Sequence, residues 1–450
     1  MDKTYISNNL FFLGGKDLIA SRLINIQFFF FIFIVLLFFV PVAFCQTSKM
    51  WDYTYGGDSS EEAFSVVETA DGGYVVAGFT RSFGAGEADV WLFKIDSSGN
   101  MIWNQTYGGP ANDRSWDMVQ TSDGGFAIGG YVFSLETGAD ALLIKTDSSG
   151  NIQWNRTFGG GGVDYCFSLI QTSDGGYALA GETTSWGAGD DFWLVKTNNL
   201  GNIEWNKTYG EGGIDRAWSV IQTADGGYAL AGQKRWSDVG DFYVVKTDSA
   251  GNMIWDQTYG GALNEIAYSI VEASDGGFVI AGETSSYAAL PRSNYLDCYL
   301  VKTDADGNMQ WNKTCGAEYH GRAYSLIKTN DGGYAMAGDW ASPVDGNMDY
   351  WLIKTDQNGD VEWEQKYGRE HPEWAYSVTQ ASDGGYVLAG IGHPRGGNPS
   401  NDVWVIKTDQ YGVIPEFPSL TLVLLLVVAV MLVAVIYRKR LVKLDYKLCA

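Results

Sequence analysis

One unit of roughly fifty residues is written seven times along this chain, and the chain enters and leaves it out of phase. Asp-Gly-Gly followed by an aromatic recurs at Asp71, Asp123, Asp174, Asp225, Asp275, Asp331 and Asp383. The steps between them are 52, 51, 51, 50, 56 and 52 residues. A second landmark, Trp-x-x-x-aromatic-Gly, stands at Trp51, Trp103, Trp154, Trp205, Trp255, Trp311 and Trp363, with Cys315 in place of one aromatic. Self-similarity at this period means that each unit hides its apolar face only against its neighbours, as in solenoids and propellers.

Each unit reads as four strands. In the first, Ala63 to Thr69 alternates and runs into the Asp71-Gly72-Gly73 turn, and Tyr74 to Gly78 is small and β-branched. A variable loop leads to Asp89–Ile95; Ser97 to Asn100 turns the chain into Met101–Tyr107. Glycine in both turns supplies positive φ at low cost. No stretch of the body sustains a helical period. The 57 Gly and 14% aromatics fit many short, tightly turned strands.

The seventh unit has a third strand, Val403 to Thr408, and no fourth. The missing strand stands at the other end of the body, Trp51 to Gly56. If it completes the last unit, the array closes on itself and no strand edge is left open. The sequence therefore predicts an all-β fold, a seven-bladed β-propeller over residues 49–412 with its N-terminal strand closing the last blade.

The flanks read as membrane signals. Residues 1–45 carry Lys3, Lys16 and Arg22, then an uncharged run from Ile24 to Phe44 and a small-x-small site at Ala43 to Cys45. This is the pattern of a signal helix cleaved after Cys45, with a retained signal anchor as the alternative. Residues 413–419 form a linker. Residues 420–437 are an unbroken apolar run, expected to be a transmembrane helix, and 438–450 hold Arg438, Lys439, Arg440, Lys443 and Lys447. Basic residues just past a span stay cytoplasmic, so the body is expected outside the cell. Ile414-Pro415-Glu416-Phe417-Pro418-Ser419, then the span, then Arg438-Lys439-Arg440, resembles the PEF-type C-terminal sorting signal of archaeal surface proteins. The resemblance implies processing at the membrane and replacement of the span by another anchor.

The whole chain has a net charge of −23. The leader holds two acids and three bases, the tail one and five, so the body between them carries 50 acids and 22 bases. Such a surface excludes nucleic acid as a partner. Five Cys without a C-x-x-C pair exclude a thiolate zinc knuckle and a dense disulfide framework.

The units resemble the Gly/Trp-rich propeller repeats of large exported proteins, a kelch-like and quinoprotein-like pattern. In the quinoprotein motif, Asp-x-x-x-Gly-x-x-x-Trp, Gly99 to Trp103 keeps the spacing and Asp96 to Gly99 is one residue shorter. The resemblance implies the fold and leaves function open.

Candidate sites fall on the face carrying the variable loops. His320, His371 and His393 lie in two crossovers and one loop, beside Glu318, Glu370 and Glu373, types that bind transition metals when they converge. Trp186, Trp236, Tyr287, Tyr295 and Trp340 are loop aromatics with the faces to stack a sugar. Asn104, Asn155, Asn206 and Asn312 open N-x-Thr sequons on the outer strand. Asp304-Ala305-Asp306-Gly307-Asn308 begins like a calcium loop but has Cys315 where an EF-hand needs Glu, so it reads as a hairpin turn. The Asp and Lys of the third strand, from Asp89 and Lys94 to Asp402 and Lys407, recur once per unit and read as loop caps and ion-pair partners.

No cofactor class is indicated. The expected function is non-catalytic binding, adhesion or structure at the cell surface, with the membrane and an extracellular protein, glycan or envelope component as partners. The alternative is an extracellular propeller enzyme, a hydrolase, lyase or quinoprotein-like oxidoreductase. It would require repeat-breaking residues on the channel axis with perturbed pKa values.

Overall fold

The computed structural model describes residues 50–414, except 135–137, 188, 236–238, 289–295, 316–319, 342–345 and 394–399, and also residue 431. The expected signal helix (1–45), sorting segment, transmembrane helix (420–437) and cytoplasmic tail (438–450) otherwise lie outside the described residues.

Seven four-stranded antiparallel sheets form the described fold. Within a blade the strands run a to d from the axis outwards. In blade one these are Glu61–Glu68, Tyr74–Thr80, Asp89–Ile95 and Met101–Tyr107. In blade seven the fourth place is taken by Trp51–Tyr55, which pairs antiparallel with Asp402–Lys407, Trp51 opposite Lys407 and Tyr55 opposite Val403. The ring is closed by the first strand of the body, as the phase of the repeat predicts. The inner strands contact one another around the full circle, from Glu61–Glu68 through Asp113–Gln120 to Trp374–Gln380 and back.

Strands b and c are buried along almost their whole length, because both faces of each blade are covered by neighbours. The core is thus seven slabs, one per seam. One slab packs Val76, Trp91 and Phe93 of blade one against Val387, Ala389 and Val405 of blade seven.

Two landmarks of the repeat meet at each seam. The strand-d indole of one blade lies on the c–d glycine of the next: Trp103 on Gly150, Trp205 on Gly251, Trp363 on Gly412. The closing strand does the same, with Trp51 and Tyr53 over Gly99. These glycines have φ between 73° and 81°, so the position needs glycine both for its backbone and for the ring that covers it. The same indoles stack edge-on against the next blade's first strand-b aromatic, as Trp154 does against Tyr177 at 5.8 Å. Tyr55, Tyr107, Tyr209, Tyr259 and Tyr367 donate their hydroxyls to the covered glycine carbonyls. Phe158 and Cys315 stand at the remaining two places and lack that hydroxyl.

Six of the seven strand-c lysines are buried and Lys94 is partly buried, and each ammonium reaches the Asp of its own Asp-Gly-Gly turn. Lys145 meets Asp123 at 2.9 Å, Lys354 meets Asp331 at 2.8 Å and Lys407 meets Asp383 at 2.9 Å. The Lys94 ammonium holds the Asp71 carboxyl down at about 2. These pairs pin the a–b turn to the end of strand c. The strand-c Asp residues cap loops: Asp89 Oδ2 accepts from Ala85 N and Gly86 N. The Asp304 segment is a hairpin turn, with Asp304 Oδ1 accepting from Asp306 N and Asn308 N.

Two glycine substitutions separate backbone strain from the seam contact. Gly226 has φ 84° and nothing within 4 Å of an added Cβ, whereas a Cβ at Gly251 (φ 74°) would stand 2.6 Å from the Trp205 ring. Gly226→Ala is expected to cost about 1 kcal/mol. Gly251→Ala adds a core clash and is expected to cost about 2–4 kcal/mol. Denaturant midpoints of the two variants check the order.

Candidate functional site: the axial channel

Every inner strand carries a β-bulge at the same place. The register slips between Ala63 and Ser65, Ser115 and Asp117, Cys166 and Ser168, and at the equivalent place in the other four blades. The extra residue is always aromatic: Phe64, Trp116, Phe167, Trp218, Tyr268, Tyr324 and Tyr376. A bulge re-aims a side chain, and here it turns seven rings toward the axis. They form a closed collar, each touching the next, with centroid separations from 4.3 Å (Phe167 to Trp218) to 6.0 Å (Trp218 to Tyr268). Phe64 and Tyr376, 5.0 Å apart, complete the circle.

The residue after each aromatic ties one blade to the next. Ser168 Oγ accepts from Val220 N at 3.2 Å, and Ser377 Oγ accepts from Val66 N at 3.1 Å across the closing seam. Six of these residues are Ser; blade two has Asp117. Its carboxylate accepts from Leu169 N (2.9 Å), Met118 N (2.7 Å), and the hydroxyls of Ser65 and Ser168. Burial pushes Asp117 up to about 6, although all four hydrogen bonds favour its ionised form.

Two residues before the aromatic, toward the loop face, the repeat breaks down. The seven equivalent residues are Glu62, Arg114, Tyr165, Arg216, Ile266, Arg322 and Trp374. The positions around it largely keep one type, with single departures such as Asp117 and Gly321; here acid, base, aromatic and aliphatic stand side by side. Their strand-b partners vary too, including Phe79, Glu182, Glu283 and Asp339.

The charges are partly matched. Arg322 makes a bidentate pair with Asp339, both bonds 3.0 Å. Arg216 pairs with Glu182. The Arg114 guanidinium lies 4.1 Å over the Phe79 ring, and its Nε is buried with no hydrogen-bond partner. Burial pushes Glu283 up to about 7, against Arg322 and the Tyr268 hydroxyl, which donates to it at 3.1 Å. Burial also raises the Glu62 carboxyl, against Arg114 and Arg81. The Nε1 groups of Trp116 and Trp218 are buried without a partner. An open cavity of about 370 Å³ lies along the collar, lined by its seven rings, by Ser65, Asp117 and other residues that follow them, and by Glu62 alone of the varied positions; its size is that of a small-ligand site.

The sequence-derived candidates fall elsewhere. His371 and His393 come together, ring centroids 4.6 Å apart. Burial and His371 lower His393, whose Nδ1 is buried without a partner. His320 sits apart in the crossover into blade six, where burial lowers it and Asp339 acts the other way. Among the described residues no group of three or more His, Cys, Asp or Glu gathers as a metal site. Trp186 stacks on Trp193 of its own blade at 5.3 Å, and Tyr287 on Tyr299 at 5.3 Å. Each keeps a half-exposed face. Trp340 is a strand residue under the Lys366 ammonium, 3.9 Å away. Trp236 and Tyr295 lie outside the described residues. Asn104, Asn155, Asn206 and Asn312 are exposed on their outer strands.

The collar escaped the sequence reading although its signal was present. An aromatic followed by Ser or Asp recurs in every first strand, and simple alternation assigned those residues to ordinary strand faces.

No protein-family model and no curated protein sequence matches the chain. Among solved structures, the WD40 domain of Pan2 from Neurospora crassa superposes with TM-score 0.51 at 11% identity, covering 82% of this chain and 99% of that one. Sqt1 from Chaetomium thermophilum, bound to the N-terminus of the ribosomal protein L10, gives 0.46 at 11% identity, covering 81% and 100%. A puromycin hydrolase gives 0.45 at 15% identity, covering 77% and 51%. At these identities the likeness is one of fold alone.

Asp117 gives a pH test of the channel wall. Its folded pKa of about 6 lies above the unfolded value of about 3.9. The folded state therefore binds more protons between these values, and this contribution is full below about pH 4 and lost as pH rises through 6. At 1.36 kcal/mol per unit that is about 2–3 kcal/mol. Asp117→Asn removes the titration, so stability should fall less between pH 4 and 7 in the variant than in the parent. Parallel urea melts at these pH values measure the difference.

Proposed function

We propose that the chain is an exported cell-surface propeller, held at the membrane by its C-terminal end, that binds its ligand non-catalytically at the loop-side mouth of the axial channel. The observation that carries this reading is the breakdown of the repeat at Glu62, Arg114, Tyr165, Arg216, Ile266, Arg322 and Trp374. A scaffold with no axial ligand needs only repeated types there. The cavity of about 370 Å³ offers aromatic faces, the orphaned indole N–H groups of Trp116 and Trp218, and the carboxyls of Glu62 and Asp117, with the other varied residues next to the collar in sequence on the loop side, which suits a polar, shaped ligand. An extracellular glycan, protein segment or envelope component offers that chemistry. Trp186 and Tyr287, each with one face open, can extend contacts on the same side, and the His371–His393 pair is the remaining place for a transition metal.

Export and anchoring rest on the leader at 1–45, the apolar run at 420–437 and the basic tail beyond it. The four sequons stand exposed on outer strands, where a glycan clears the neighbouring blades. The Pro415-Glu416-Phe417-Pro418 segment supports sorting of the archaeal surface type.

Glu283 supports a second reading. A carboxyl near 7, hydrogen-bonded by Tyr268 and close to Arg322, is poised as a general acid at neutral pH. A hydrolase or lyase acting at the channel mouth would use it so. Glu283→Gln would then abolish turnover of chromogenic glycosides or esters. Absence of turnover by the parent chain across pH 5–8 leaves the binding reading standing.

Binding is tested with the full chain, immobilised and probed with an oligosaccharide panel and a peptide library. Tyr165→Ala and Trp374→Ala should each weaken retention of a bound probe roughly 10–100-fold, as loss of a central contact does. Gln257→Ala on an outer strand should leave it unchanged. Retention unaffected by the axial variants would place the site elsewhere.

A further inference from the structure

Blade five departs from the repeat at two places that face each other. Cys298 on strand c stands directly opposite Cys315 on strand d. In the other six blades the strand-d member of this pair is Tyr or Phe, as in Tyr107 opposite Val90 and Tyr259 opposite Phe242. The remaining described cysteine, Cys166, lies in blade three opposite Gly181.

Residues directly opposite in an antiparallel pair project to one face, with Cα atoms about 4.5–5.5 Å apart. A disulfide spans roughly 4.4–6.8 Å between Cα atoms. Both side chains enter the same core slab, beside Ala323 and Trp351 of blade six. Cys298 is 0% and Cys315 5% exposed. The Cys315 thiol, and then burial, raises the Cys298 thiol well above its ordinary range. Among the described residues the pair joins no group of three or more metal-ligating side chains. Cys in place of Tyr loses ring contacts, and it has no hydroxyl to offer the carbonyl of Gly359, the glycine that Trp311 covers. The second Cys opposite it gives this blade a bond that the other blades do not make.

We infer that Cys298 and Cys315 are a disulfide-forming site, joined across blade five when the chain meets an oxidising exterior. The compartment comes from the proposed export; the site itself comes from the strand register. The oxidant is a small-molecule or protein disulfide. One cysteine thiolate attacks it and displaces one thiol, leaving a mixed disulfide; the other thiolate displaces the second thiol and closes the S–S bond. The two cysteines give up two protons and two electrons, and the donor leaves as two thiols. Cys298 is fully buried in the closed ring, so the exchange belongs to folding, before blade six covers the slab. The finished bond ties the outer strand of the blade to the buried strand c.

The test uses the full chain purified from its native cells without reductant, unfolded in urea, alkylated with iodoacetamide and digested with trypsin. Lys302 and Lys313 lie between the two cysteines, so cleavage puts them in separate peptides, 293–302 and 314–322. The expected result is a joined species two hydrogens below the sum of these peptides, with Cys166 alkylated as an internal control. Reduction before alkylation should separate the two. The Tm of the parent should fall by about 3–5 °C in a phosphine reductant. Cys298→Val places at this position the residue of blades one and seven, Val90 and Val403, so the fold is retained; its Cys315 should alkylate like Cys166 and its Tm should ignore the reductant. A pair that is reduced as isolated, yet closes with oxidised glutathione in partly unfolding urea, would keep the site and count against export. Full alkylation of Cys298 and Cys315 after that treatment would overturn the inference and leave both as small apolar fillers.

Discussion

The contact on which the whole ring depends is an indole laid on a glycine across each seam. A strand-d Trp buries roughly 150–250 Å², and it reaches the next blade only because the c–d turn presents no side chain there. Gly150 under Trp103 and Gly412 under Trp363 are two of seven such places. A single blade has nothing to cover its own indole or its own apolar strands b and c. Stability therefore belongs to neighbouring pairs, and the ring must close. Closure by Trp51–Tyr55 repeats the same contact at the last seam, with Trp51 and Tyr53 over Gly99.

This constraint sorts the residues of the chain by freedom. Strand-d Trp, c–d Gly, strand-c Lys and the Asp of the a–b turn serve seams and turns, and they recur in every blade. The inner-strand bulge is part of the same scaffold, since the Ser that follows it stitches adjacent blades. What is left free lies on the axis and in the loops. The mixture at Glu62, Arg114, Tyr165 and Arg216 is visible because the surrounding positions depart from one type only singly, as at Asp117 and Gly321. Asp117 shows how narrow that freedom is. It replaces Ser, keeps the seam bond to Leu169 N, and takes on a carboxyl that burial resists ionising.

The sequence made the scaffold legible because its signals are local or strictly periodic. Trp51 and Val403–Thr408 announce the closure by phase alone, and Lys94 and Asp71 sit at ends of strands that the turn brings together. The axis was illegible for two physical reasons. A bulge adds one residue, so alternation loses parity at Phe64 and misassigns the face it takes. The ring of seven aromatics is also assembled from residues about fifty apart, none unusual in its own strand. Loop aromatics misled in the opposite direction: Trp186 and Tyr287 read as a free rim, yet each rests one face on a strand-c ring. Three His on one face suggested convergence, and the fold pairs His371 with His393 while His320 sits beside Asp339.

The central claim is that the repeated positions build the ring and the broken ones, at the channel mouth, carry its function. The most direct measurement is a crystal structure of the chain purified from its native cells without ligand exchange. The account predicts ordered density on the loop side of the aromatic collar, in contact with residues such as Tyr165, Arg216 and Trp374. An unoccupied channel, with co-purified material bound on the Asp-Gly-Gly face instead, would contradict it.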